Sequence, residues 1–134
     1  MANIEDIEGI GPAYGAKLKE NGVGTLDKLL DAGGTKAGRE GLAAKTGISD
    51  ALILKWVNRA DLARVKGIGS EYADLLEAAG VDSVPELAQR VPANLHAKLG
   101  EVNAAKELVR RVPTVAEVEG WVASAKSLPR AVHH

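Results

Sequence analysis

Cysteine is absent from this chain, and with it go disulfides, thiolate nucleophiles and thiolate metal ligands. That fits a reducing cytoplasm, which is the expected location. Phenylalanine is absent too, and two Trp and two Tyr are the whole aromatic complement of a chain that is 46% apolar. The apolar content is therefore Ala, Leu and Val, which favours short, closely packed helices over a large aromatic core. No apolar run approaches the roughly 18 residues of a membrane span, and the start of the chain carries acids instead of a leader pattern. A basic surplus is also missing: 17 Lys and Arg face 18 Asp and Glu, for a net charge of −1, whereas proteins that coat nucleic acid show a clear excess of base. Histidine is limited to His96 and a terminal pair, His133 and His134; Pro129 closes the ordered part, and residues 129–134 are set aside as a disordered tail or tag remnant.

What is present is a repeat. Ile7-Glu8-Gly9-Ile10-Gly11-Pro12-Ala13-Tyr14 returns 58 positions later as Val65-Lys66-Gly67-Ile68-Gly69-Ser70-Glu71-Tyr72. The correspondence continues through Leu18 and Leu76, Gly22-Val23 and Gly80-Val81, Thr25 and Ser83, and Leu29 and Leu87. A repeat of that length is a duplicated supersecondary unit. In each copy two glycines flank one apolar residue, and Pro12 or Ser70 then opens a helix. The first amides of such a helix have no intrahelical partner and lie at the positive end of its dipole, a setting suited to an anion such as phosphate. The plain structural reading is that the turns only connect packed helices, with Ile10 and Ile68 as plugs.

Helical spacing covers most of the rest. Residues 12–21 form one helix, Thr25 caps another that ends at Gly33-Gly34, and residues 35–45 form a third. Ser49 caps a longer helix with Ile53, Trp56, Val57 and Ala60 on one face, running on through Leu62 and Val65 into the second hairpin. Ser83 and Glu86 read as a capping box, Pro92-Ala93-Asn94 as a break, and residues 95–111 as a helix that Pro113 ends. Thr114 and Glu117 form a further capping box. Behind them Val115, Val118, Trp121, Val122 and Ala125 echo the Trp56 helix at an offset of 65. No stretch alternates with period 2, so no sheet is expected.

Catalysis has little to stand on. His96 has no nucleophile or acid patterned around it, and no metal motif is present, so the expectation is no enzyme, no catalytic residue, no metal and no cofactor. Gly9, Gly11 and Gly15 do not make a dinucleotide fingerprint, because no hydrophobic strand precedes them. Glu5, Asp6, Glu8 and Glu20 give the first hairpin an acidic setting. Lys55, Arg59, Arg64 and Lys66 against Asp61 give the second a local basic surplus, with Lys106, Arg110 and Arg111 as a weaker group. Tyr14, Tyr72, Trp56 and Trp121 sit on apolar stripes and read as core, not as base-stacking platforms.

The pattern apolar-x-Gly-apolar-Gly, an amphipathic helix, then Gly-Val and a capped short helix resembles the helix-hairpin-helix superfamily. It is similar as well to the C-terminal domain of the bacterial RNA polymerase alpha subunit. Residues 4–128, including Leu54 to Leu62 and Val112-Pro113, resemble more closely a bacterial family of unknown function near the helix-hairpin-helix proteins. The resemblance implies an all-α fold of two hairpin repeats that share a linking helix, residues 1–61 and 62–128, closed by a C-terminal helix. It also implies sequence-independent binding of a DNA or RNA backbone, with hairpin amides on phosphate and nearby cations adding charge. The residues for that role are Gly67, Ile68, Gly69, Lys66, Arg64, Arg59 and Lys55, with Gly9, Ile10 and Gly11 in the first copy. Many such hairpins carry a basic residue two positions after the second glycine, where this chain has Ala13 and Glu71. That departure, with the acidic first hairpin, favours the alternative of a protein-interaction scaffold that has lost its phosphate site. No membrane partner is expected.

Overall fold

The structure is a computed structural model that describes residues 3–7 and 9–133. Among the described residues it is all-helical, with no strand and one isolated bridge between Asn3 and Thr25. No helix is long and apolar enough to cross a membrane. The chain divides into two compact units: residues 1–61 with 131–134, and residues 62–130.

Unit 1 opens with a 3-10 turn, Ile4–Asp6, closed by a capping box between Asn3 and Asp6. Four helices follow: α1 (Pro12–Glu20), α2 (Leu26–Gly33), α3 (Lys36–Thr46) and α4 (Asp50–Leu62). Thr25 and Thr35 cap α2 and α3 by accepting from the Lys28 and Gly38 amides, and Gly47 ends α3 in the left-handed conformation. Gly38 and Gly41 in α3 lower its helix propensity, but its caps and the buried Leu42 outweigh them. The core joins Ile4, Ile7, Ile10, Leu18, Val23, Leu29, Ile53, Trp56 and Val57. The helical run of α4 stops at Leu62, and Val65 follows in a turn.

Unit 2 repeats the plan with α5 (Ser70–Ala78), α6 (Val84–Ala88), α7 (Pro92–Lys106) and α8 (Val115–Ser127). Its core joins Leu62, Val65, Ile68, Leu76, Val81, Val84, Leu87, Leu95, Leu99, Val118, Trp121 and Val122. The duplication extends to individual hydrogen bonds. The Val23 amide donates to Leu18 O and the Val81 amide to Leu76 O, each at 2.8 Å. In both copies the same glycine-closed turn follows the helix.

Several details depart from the sequence reading. Pro92-Ala93-Asn94 is the first turn of α7, because proline at the first helical position lacks only an N–H that would be unpaired there. The helix ends at Lys106, well short of residue 111: Glu107 turns left-handed at φ 50°, and the Asn103 amide group then bonds both Val109 N and Val109 O, at 3.0 and 3.1 Å. Glu86 reaches the Asp82 amide at 3.3 Å instead of closing a box on Ser83. Val115 is 40% exposed while the rest of its stripe is buried. The end of the chain also differs from a free tail, since Val132 is buried in the unit 1 core.

Candidate functional site

The two hairpins have one backbone. Gly9 and Gly67 adopt φ 96° and 95°, a region that L side chains rarely enter. The Ile10 amide donates to Ile7 O and the Ile68 amide to Val65 O, each at 3.1 Å. Gly11 and Gly69 then take extended N-cap conformations for α1 and α5. A tryptophan stands over each turn. Trp56 Nε1 lies 3.6 Å from where a β-carbon on Gly9 would sit, and Trp121 Nε1 lies 3.1 Å from the same place on Gly67. Each indole packs on the tyrosine of its own hairpin, Tyr14 with Trp56 and Tyr72 with Trp121, at centroid separations of 5.2 Å. Tilted aromatic pairs of this kind stabilise by about 0.5–1.5 kcal/mol beyond their burial. The two tryptophans are core as the spacing suggests, whereas Tyr14 is 37% exposed and Tyr72 half-buried, which corrects their reading as core: each lies at the surface and braces its hairpin through the indole beneath it.

Glycine at both N-caps has a second effect. Helices α2, α3, α6 and α8 begin on a Thr or Ser hydroxyl that accepts a main-chain N–H, whereas α1 and α5 have no side-chain cap. Their leading amides are left for another acceptor.

Around this shared frame the charges are reversed. Glu5, Asp6 and Glu8 of the first copy correspond to Ala63, Arg64 and Lys66 of the second. In unit 1 the Glu5 carboxylate lies against Gly15 in α1, 2.6 Å from where a β-carbon on that residue would sit, and pairs with Lys19 at 3.4 Å. The carboxylate thus lies along the middle of α1 and is partly neutralised by a lysine of its last turn. In unit 2 that carboxylate is replaced by Ala63.

Hairpin 2 instead borders an open cleft of about 400 Å³ lined by Gly67, Gly69, Ser70, Glu71, Tyr72, Arg110 and Arg111. The early end of α7 brings the arginines there. With the helix stopped at Lys106, residues 107–111 fold back, and the Tyr72 hydroxyl donates to Arg111 O at 3.0 Å. Arg110 is exposed. The Arg111 guanidinium holds Glu117 through two bonds of 2.8 and 3.0 Å. Those bonds, with the Thr114 amide, lower the Glu117 carboxyl to about 2, and they raise Arg111 further above its ordinary value.

The residues expected to bind phosphate meet different fates. Gly67 and Gly69 line the cleft, and Lys66 is exposed beside Gly67. Ile10 and Ile68 are 4% exposed, and their amides donate to Ile7 O and Val65 O within the hairpin. Gly9 and Gly11 keep the turn geometry beside the acidic flank of α1. Arg64 donates to Pro129 O at 2.6 Å. Arg59 is 8% exposed and lies with the exposed Lys55 on α4. Arg110 and Arg111 reach the cleft from a turn that Asn103 holds through Val109, a contact that the helical spacing does not announce. Among the described residues no three acids or histidines gather into a set that could hold a metal ion.

Fold and site together define a duplicated, all-helical protein with one glycine-hairpin frame used in two electrostatic settings. The chain belongs to the family described as a domain of unknown function, DUF4332, whose family model matches residues 8–128. No curated protein and no solved structure matches it.

Proposed function

We propose that the protein is a non-enzymatic module that binds the phosphate backbone of DNA or RNA, without reading sequence, through hairpin 2. The observation that carries this reading is the cleft in which Gly67, Gly69 and the uncapped start of α5 face Arg110 and Arg111. Main-chain N–H groups at a helix start and arginine are both standard partners of phosphate oxygens. The resemblance to helix-hairpin-helix turns favours the same use. Glu71 on the rim opposes the anion, so the affinity is expected to be weak and to depend on Lys66, Arg110 and Arg111 together.

Fluorescence anisotropy of a short labelled duplex and of a single strand, at 50 and 200 mM salt, tests the proposal. With two or three phosphates neutralised, counterion release lowers affinity by about 10- to 40-fold between the two salts. Lys66→Glu and Arg110→Glu each weaken binding and flatten that slope. Absence of binding at 50 mM salt overturns the reading.

Hairpin 1 favours a different role for unit 1. The acids Glu5, Asp6 and Glu8 that precede and enter the turn disfavour phosphate, and hairpin 1 suits a protein partner whose affinity changes little with salt.

A further inference from the structure

Residues 131–133 are held on unit 1 by a groove that reads main chain. Val132 is 3% exposed and belongs to the same cluster as Ile4, Leu29, Leu42 and Trp56. The His133 N–H donates to Gly34 O at 2.7 Å, and the His133 carbonyl accepts from Arg39 Nη2 at 2.7 Å. Both polar main-chain groups of one residue are therefore bound, while the residue itself stays exposed. Arg39, 5% exposed, is fixed from its other side by donating to Gly33 O at 2.9 Å. The floor is glycine of necessity, since a β-carbon on Gly34 would sit 2.7 Å from the Ala131 carbonyl oxygen. The groove asks for a non-helical segment with one valine-sized side chain and makes no demand on the residue after it. Recognition by main-chain pairing plus a single side-chain pocket is how sheet edges and grooves capture peptide segments.

We propose that this groove is an exchangeable docking site, and that its partner is a second copy of the chain, whose residues 131–133 replace the resident ones. A second copy brings the identical segment, so every contact just described is remade in the exchanged form. Only the path of the connecting residues and the loss of an intramolecular tether distinguish the two states. The connection, residues 128–130, is non-helical, and Pro129 and Arg130 are exposed. A short tether gives the chain's own segment an effective concentration of about millimolar or more, and the bond from Arg64 to Pro129 O adds to its hold, so the native protein exchanges only when concentrated. The proposal is independent of hairpin 2, which lies in unit 2.

Complementary full-length variants test it. Val132→Asp keeps the groove and spoils the segment, whereas Arg39→Gln spoils the groove and keeps the segment. Each alone is expected to stay at the 14.0 kDa chain mass by light scattering after size exclusion. Mixed at about 0.1–1 mM, the range set by the tether, they form a species of twice that mass. A mixture that stays monomeric, with both variants showing native tryptophan emission, overturns the proposal. Should Arg39→Gln fail to fold, a labelled peptide of residues 128–133 takes the donor role. It is expected to bind the Val132→Asp chain about tenfold or more tighter than the native chain, whose own segment competes. Equal binding to the two chains, or no binding to either, refutes the exchange.

Discussion

Gly67→Ala isolates the first glycine of hairpin 2 from everything else that glycine could mean there. The residue sits at φ 95°, and an alanine held in so sparsely populated a region costs about 1–3 kcal/mol. Its β-carbon would also lie 3.1 Å from Trp121 Nε1. Trp121 is 4% exposed and packed on Tyr72, so its ring yields only by loosening that packing, which adds about 1 kcal/mol. The expected loss is about 2–4 kcal/mol, a large share of the stability of a small domain. Gly9→Ala meets Trp56 at 3.6 Å, an ordinary contact, so only the backbone term of about 1–3 kcal/mol remains. Gly11→Ala and Gly69→Ala are the controls. No atom lies within 4 Å of either new β-carbon and both φ values are negative, so each loses less than about 1 kcal/mol. Urea unfolding followed by tryptophan emission measures all four, and a Trp56→Phe or Trp121→Phe background assigns each transition to one unit. Equal losses for Gly67→Ala and Gly69→Ala, or a Gly67→Ala loss below about 0.5 kcal/mol, would refute the argument from backbone conformation.

Two further substitutions probe what surrounds that turn. The folded-state carboxyl of Glu117 is lowered from 4.5 to about 2 by Arg111 and the Thr114 amide, so its contribution is full above 4.5 and is lost as pH falls toward 2. Arg111→Gln is expected to return Glu117 toward 4.5 and to flatten the melting temperature between those values; an unchanged acid profile or an unchanged NMR titration of Glu117 refutes the pairing. Tyr72→Phe keeps the ring on Trp121 and removes the bond to Arg111 O, with an expected loss of about 1 kcal/mol by urea unfolding. Tyr14→Phe is its control in unit 1, and an equal loss there would deny the bond its role.

Much of this architecture is legible in the residues because local chemistry and burial agree. Thr25, Ser83 and Thr114 announce helix starts and cap them, and Ile53, Trp56, Val57 and Ala60 share a buried face. The part that was not legible depends on contacts distant along the chain. Nothing in a helical pattern through residues 95–111 says that Asn103 will bond Val109 and carry Arg110 and Arg111 to Gly67. Spacing likewise gives Arg59 and Lys66 equal weight as cations, while burial separates them. Ile10 and Ile68 are buried at 4% exposure, as plugs would be, and burial of the side chain leaves the amides at the start of each helix as the part of the turn that a ligand would meet.

The place of Val132 in the unit 1 core bears on the order in which the protein can be finished during synthesis. Residues 4–60 leave the ribosome first, yet the site that Val132 fills stays vacant until about 70 further residues have followed, roughly 4–14 s at ordinary elongation rates. Unit 2 is contiguous in sequence and waits for nothing outside itself. Through that interval the hydrophobic seat of Val132 lacks the side chain that covers it in the finished fold. The half of the molecule that is made first is the half completed last.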